Sequence, residues 1–196
     1  MIGYSAELLY LLAHLGRYCR LTMKTGVRDL TLEATYEEQL ISWKPPGGDK
    51  TLVDMSYAYR NHGLIMLYKL REGSYRPETV MERWEESIGY SRIAYSIPRS
   101  LALDSLKRLF ETPIDAPCIH FHSIPLLTAG AELSQDDVKL RVSVVARFKT
   151  LYSMNRVAVN IWAIELLEEL WGLRDSGTLI SWLELLLSKE WTLNFA

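Results

Sequence analysis

The chain has 196 residues, with 22 Lys and Arg against 24 Asp and Glu, a formal net charge of −2. Apolar residues make up 48% and charged residues 23%, the balance of an ordinary globular domain long enough to bury a core. Basic residues never run beyond a pair such as Lys107-Arg108, so the clustered basic face that displaces counterions from phosphate is missing, and no direct DNA binding by these residues alone is expected.

In chain order, Ser5 reads as an N-cap. Leu8, Leu11, Leu12, Leu15 and Cys19 then recur at helical spacing, with Glu7, His14 and Arg17 on the opposite side. A second helix is expected over about Arg28 to Trp43, ended by Pro45-Pro46-Gly47-Gly48. A long helix follows from about Leu52 to Arg71, with Val53, Tyr57, Leu64, Leu67 and Tyr68 on one face. Glu78 to Ser96 reads as another, with Val80, Trp84 and Ile88 in a stripe. Pro98 and Pro113 are expected to bracket a short helix, Leu101 to Phe110. Pro117 opens an apolar stretch whose internal Pro125 implies a kink.

Ser134, Asp136 and Asp137 suit the start of the next helix, where the dipole favours anions, and that helix should run to about Tyr152. Asn155 marks the following boundary. Val159, Ala163, Leu166, Leu167 and Leu170 form the next stripe. After Gly177, Leu179, Trp182, Leu183 and Leu186 form the last, at i, i+3, i+4, i+7. No strand-like alternation is sustained. The spacing predicts an all-α bundle or array of roughly eight or nine helices, with no significant sheet, over the single domain 1–196.

Motifs that carry chemistry fail on spacing. Gly47-Gly48-Asp49-Lys50-Thr51 lacks the upstream Gly and the Gly directly before Lys of a phosphate loop, and reads as a solvated helix entry. Asp136-Asp137 lacks a third carboxylate one turn on, where Leu140 stands, so capping is the better reading than a magnesium box. His120 and His122 diverge on a helix and would share a metal only on an extended segment. Cys19 and Cys118 are too few for a zinc site and read as buried reduced thiols. The expectation is no catalytic residue, no metal ligand and no enzyme, with cofactor-binding residues not legible. Arg60 and Asn61, within a largely apolar helix, are read as part of an ion pair tying two helices, with an acidic effector as the other option. Glu132, Arg141 and Arg147 carry the same two readings. The six tryptophans are read as core anchors, with an apolar ligand pocket as the alternative.

No stretch approaches the ~18 apolar residues of a membrane helix. The start MIGYSAELLY has neither the basic region nor the cleavage site of a signal peptide. A soluble intracellular chain is expected.

Several strings occur in a telling order: GYSAELLYLLAHLGRY, WKPP, SYAYRNHGLIMLYKL and PLLTAGAE, then Arg141, Arg147, Asn155, Trp171, Asp175, Trp182 and Trp191. Together they resemble the C-terminal part of the fungal-specific transcription factor domain, the all-helical regulatory half of zinc binuclear cluster (six-cysteine) regulators. The family's Ala-x-x-Tyr-Arg-x-Ala helix carries over onto Ala58, Tyr59, Arg60, Leu64, Ile65 and Tyr68, and its apolar helix onto Pro125, Ala129, Gly130 and Glu132. The resemblance implies a nuclear regulator of RNA polymerase II transcription. It places zinc only in an N-terminal cluster that this chain lacks, so Met1 looks like a truncated start, a fragment or a diverged gene. It implies protein partners or self-association and is compatible with a small-molecule effector. The alternatives are a stand-alone helical interaction or dimerisation protein, and a small-molecule-binding helical domain. If upstream helices are missing, the apolar faces of the first helix (Leu8, Leu11, Leu12, Leu15) and the last (Leu179, Trp182, Leu183, Leu186) should lie uncovered and drive self-association.

Overall fold

The computed structural model describes residues 5–73 and 88–189, and of residues 88–96 the backbone alone. Eight α-helices fill most of the described residues: α1 (Ala6–Thr25), α2 (Leu30–Ser42), α3 (Lys50–Gly73), α4 (Ile88–Glu111), α5 (Ser123–Ala131), α6 (Val138–Asn155), α7 (Val159–Asp175) and α8 (Trp182–Ser188). No strand occurs among the described residues, so the all-α reading holds.

The array is organised around α3, which packs against α1, α2, α4 and α5. Its buried residues extend well beyond one stripe. Met55, Ala58, Tyr59, Leu64, Ile65, Leu67 and Leu70 are buried, and so are Asp54, Ser56, Asn61 and His62. A helix enclosed this way cannot send polar groups to water, so each must find a partner on a neighbour. At Gly63 side chains of both α1 and α2 press against α3: a Cβ there would sit 2.5 Å from Leu12 Cδ2 and 3.1 Å from Leu40 Cδ1. A second layer is built on α5, which contacts α3 and α4 on one side and α6 and α7 on the other. Gly130 permits that packing, since its Cβ would meet Val144 Cγ1 at 3.0 Å and Leu167 Cδ1 at 3.3 Å.

Helix ends follow local chemistry. Asp29 caps α2 by accepting from the Leu32 N–H at 3.0 Å. Asp49 accepts from the Thr51 and Leu52 N–H groups at 2.8 and 3.2 Å and opens α3. Gly26, at φ 70°, closes α1. Ser5 does stand at the N-cap of α1, but its hydroxyl reaches Ser56 on α3 at 2.8 Å instead of capping.

Three expectations are corrected. Pro98 does not separate two helices; it is buried inside one continuous α4, whose packing on α3 and α5 outweighs the roughly 3 kcal/mol a helical proline costs. Most of the expected Glu78–Ser96 helix lies outside the described residues. Pro125 does not kink a longer helix: α5 begins at Ser123, so Pro125 falls in the first turn, where its missing N–H has no intrahelical role. Leu179 is not in the last helix; Ser181 caps α8, and Leu179 is 64% exposed.

The uncovered apolar faces are not found either. Leu8 and Leu15 of α1 are fully buried, Leu11 and Leu12 pack against the core, and Trp182 and Leu185 of α8 are buried. These faces are covered within the chain itself, which removes the reason to expect sticking through them.

Candidate functional site

The polar groups that α3 carries inward form three seams. The first joins α3 to α4. Arg108 donates to Asp54 and to Asp104, both at 2.8 Å, and Lys50 reaches Asp54 at 2.7 Å and Glu111 at 3.3 Å. Asn61, fully buried, donates to Asp104 at 3.0 Å and Ser105 at 3.2 Å. The cation expected to tie two helices was Arg60; the residue that does so is Arg108. Arg60 makes no ion pair among the described residues. Its guanidinium lies 4.9 Å from the Tyr57 ring centre, and that of Arg108 lies 4.7 Å from the same centre. The sequence could not rank the two arginines, because Asp54 and Asp104 belong to different helices.

The second seam gathers α1, α2 and α3 around Glu33. Its buried carboxylate receives Arg28, Tyr18 at 2.8 Å and Arg71 at 3.2 Å. Burial pushes its pKa up, but these donors outweigh burial and hold it below the ordinary glutamate value. Arg71 also reaches Glu37 at 2.7 Å, and Glu37 accepts the Tyr68 hydroxyl at 2.8 Å. The sequence reading missed Glu33; a carboxylate in the first turn of a helix reads as an ordinary partner of the helix dipole and carries no sign of burial.

The third seam joins α3 to α5. Tyr59 donates to the Phe121 carbonyl at 2.8 Å, His62 Nδ1 meets Thr128 Oγ1 at 2.7 Å, and Lys69 reaches Glu132 and Glu72, both at 2.9 Å. Burial lowers the Lys69 pKa, yet the two carboxylates outweigh it and keep the amine charged. His62 is pushed down to about 4 by burial and is neutral.

Other expected residues also join helices. Arg141 grips Asp175 at 2.6 and 2.9 Å, linking α6 to α7, with its guanidinium 5.0 Å from the Trp171 ring centre. Arg147 donates to the Phe110 and Thr112 carbonyls at 3.3 and 3.4 Å, where α4 ends. Trp171 donates to the Gly130 carbonyl at 3.0 Å, and Arg174 donates to the Ala131 carbonyl. Asp137 takes both the Ser134 N–H at 2.8 Å and Arg99 at 2.6 and 2.9 Å; Arg99 above all holds its pKa down to about 2. Asp136 and Asp137 were expected in the first turn of this helix; they lie instead in a 3-10 turn, Gln135–Asp137, just ahead of α6, which Asp137 closes onto Ser134. Trp191 lies outside the described residues.

Pro125, Ala129 and Gly130 line the α5 packing face, and Ala58, Tyr59, Leu64 and Ile65 are buried in α3. Of the residues carried over from the resemblance, those of α3 and α5 named here, with Trp171, meet in the α3–α5–α7 core, whereas Arg60 stands apart from it. Cys19 and Cys118 are buried free thiols, with Cys19 pushed up to about 12 chiefly by burial. His120 is exposed and His122 fully buried, and no group of three or more His, Cys, Asp or Glu side chains able to hold a metal occurs among the described residues. Neither nitrogen of His122 has a partner, and burial, with Arg147 nearby, lowers its pKa to about 4.

Two clefts of about 270 Å³ each mark the surface. One lies between the end of α1, α3 and α8, with Met23, Leu183 and Leu187 as apolar wall and Lys69 and Glu184 as polar groups. The other is lined by Ser123, Asn155 and Asn160. The Val157 N–H donates to Asn155 Oδ1 at 2.9 Å and so fixes that amide. Asn160 Nδ2 then donates to the same oxygen at 3.2 Å, and Ser123 donates to Asn160 Oδ1 at 2.7 Å. Ser123 and His120 both line the second cleft, but no hydrogen bond joins them; the Ser123 hydroxyl donates to Asn160 instead.

No helix among the described residues is long and apolar enough to cross a membrane. Among known families, the one described as the fungal specific transcription factor domain matches residues 1–196. Neither the curated proteins nor the solved structures hold a match to the chain.

Proposed function

We propose that this chain, which belongs to the fungal specific transcription factor domain family, supplies the regulatory and interaction part of a nuclear regulator of RNA polymerase II transcription. The observation that carries the reading is the family match across residues 1–196. In this reading the chain corresponds to the C-terminal part of the domain. DNA contact and zinc belong to a cluster outside these residues, and the chain acts through protein contacts without catalysis. The charge pattern supports it: many of the arginines are taken up by carboxylates of neighbouring helices, as in Arg28–Glu33, Arg108–Asp54 and Arg141–Asp175.

The test is to fuse the chain to an unrelated DNA-binding module and read a reporter carrying that module's site. The chain is expected to raise or lower transcription several-fold relative to the module alone; an unchanged reporter, with the fusion present at equal level, would reject the reading. In parallel, the purified chain should leave duplex DNA probes unshifted. A salt-sensitive, sequence-selective shift would reject the division of labour proposed here.

A second reading, a small-molecule-binding helical domain, draws on the Ser123–Asn155–Asn160 cleft. Its polar groups are fixed in orientation by the Val157 N–H. Thermal-shift screening of small carbonyl compounds tests it: stabilisation lost in Asn160→Ala supports the reading, and no stabilising compound counts against it.

A further inference from the structure

Two exposed helix faces carry opposite charge and an exposed aromatic each. On α1, Tyr10, His14, Arg17, Leu21 and Lys24 follow at intervals of three and four residues and form one outward ridge, flanked by Arg20. Tyr10 is 69% and Leu21 59% exposed, and Tyr10 stacks on His14 with ring centres 4.3 Å apart. Arg17, Arg20 and Lys24 make no ion pair among the described residues. This differs from the rest of the molecule, where most arginines are bound to carboxylates or carbonyls.

On α7 the outward residues are Trp162, Glu165, Glu168 and Glu169. Trp162 is 48% exposed, a costly placement for a large indole. Glu169 is held by Lys189 at 2.7 Å, but Glu165 and Glu168 have no cation among the described residues. Scattered exposed apolar residues need no explanation. Val138 and Val142 of α6, both exposed, are examples. The α1 and α7 faces differ because each presents what the other lacks: cations beside a tyrosine on one, carboxylates beside a tryptophan on the other. Tyr, Trp and Arg are also the side chains that most often carry binding energy at interfaces.

We infer that the chain self-associates through these faces, with the α1 ridge of one copy docked on the α7 ridge of a second. Arg17 and Arg20 oppose Glu165 and Glu168, and Tyr10 and Trp162 supply the apolar contact. Two copies placed α1 to α1, or α7 to α7, would set like charges together, so the pairing rejects the symmetric alternatives. The inference stands on the charges and exposed aromatics of the two faces and does not depend on a role in transcription.

Sedimentation at rising concentration, with circular dichroism to verify folding, tests it. The variant Arg17→Glu/Arg20→Glu makes both faces acidic, and Glu165→Lys/Glu168→Lys makes both basic. All four positions are exposed and leave the core untouched. The parent chain should associate, with dissociation constants rising at least about tenfold between low and high salt. Each variant alone should stay monomeric, and an equimolar mixture of the two should associate again, because the acidic α7 of one then meets the basic α1 of the other. A parent chain that stays monomeric, variants that still associate, or a folded mixture that fails to associate would each overturn the inference.

Discussion

His62 and His122 sit inside the array as neutral imidazoles, for different local reasons. His62 shares a hydrogen bond with Thr128, whereas His122 has no partner at either nitrogen. Both have folded-state values of about 4 against an ordinary 6.5, lowered first of all by burial. Between those values the unfolded chain binds more protons than the folded one. Stability from these groups is therefore complete above about pH 6.5 and is lost as pH falls toward 4, by up to about 1.4 kcal/mol per pH unit for each histidine. Carboxylates such as Asp137, held down to about 2 by Arg99, lose their contribution mostly below that window. Urea unfolding at pH 7.5, 6, 5.5 and 5 should show a midpoint that falls with pH. In His62→Gln/His122→Gln the fall over this range should flatten, and an equally steep fall would show that the acid sensitivity lies elsewhere. The burial of these two rings was hidden in the sequence. His62 lies on a helix that reads as amphipathic but is enclosed, and His122 follows a short 3-10 turn, Ile119–Phe121, that no periodicity announces.

At the scale of single elements, α8 shows how much of a short helix rests on its entry. It has seven residues, below the length at which a helix persists alone in water. Ser181 accepts the Glu184 N–H at 3.2 Å, and Glu184 accepts the Ser181 N–H at 2.6 Å. Ser181→Ala should cost about 1 kcal/mol and speed amide exchange across Trp182–Ser188 roughly fivefold while sparing α3. Equal exchange in both proteins would show that packing alone sets this helix. Glycines separate packing from propensity in the same way. Nothing lies within 4 Å of a Cβ at Gly16, so Gly16→Ala should stabilise by about 0.5–1 kcal/mol. At Gly130 the Cβ would press on Val144, a stiff β-branched side chain, and on Leu167, both fully buried. Gly130→Ala should therefore destabilise by about 1–2 kcal/mol net, overpacking exceeding the gain in propensity; a Gly130→Ala protein as stable as, or more stable than, the parent would mean that α5, α6 and α7 yield easily. The stripes on α1 and α7 were legible because each buries one face. Pro98 and Leu179 were misread because the outcome depended on tertiary packing and on a cap two residues further along.

For the whole molecule, the open question is whether two groups of helices unfold as one. α1, α2 and α4 contact α3, while α6 and α7 contact α5, so α5, seated on both α3 and α4, links the two groups, and the α3–α5 seam is the polar part of that link. That seam combines apolar packing with the Tyr59, His62 and Lys69 contacts to Phe121, Thr128 and Glu132. Buried contacts of this kind unite helices only if they form together, since half of a buried polar network is worse than none. The sequence displayed the α3 and α5 motifs but not their adjacency, because the contacts span some sixty residues and the partners follow no shared spacing. Unfolding should accordingly be a single transition, with coincident midpoints by far-UV circular dichroism, which reports all helices, and by tryptophan fluorescence, which includes the buried Trp171 and Trp182. Leu127 of α5, 1% exposed, is the place to weaken the link. Leu127→Ala should lower stability by about 2–5 kcal/mol, a transfer loss plus the cavity left behind. If the array is one cooperative unit, both probes must shift together by that amount. If they separate, with fluorescence and helix signal melting at different urea concentrations, the α5–α7 group and the α1–α4 group are independent units, and the seam is a docking contact between them.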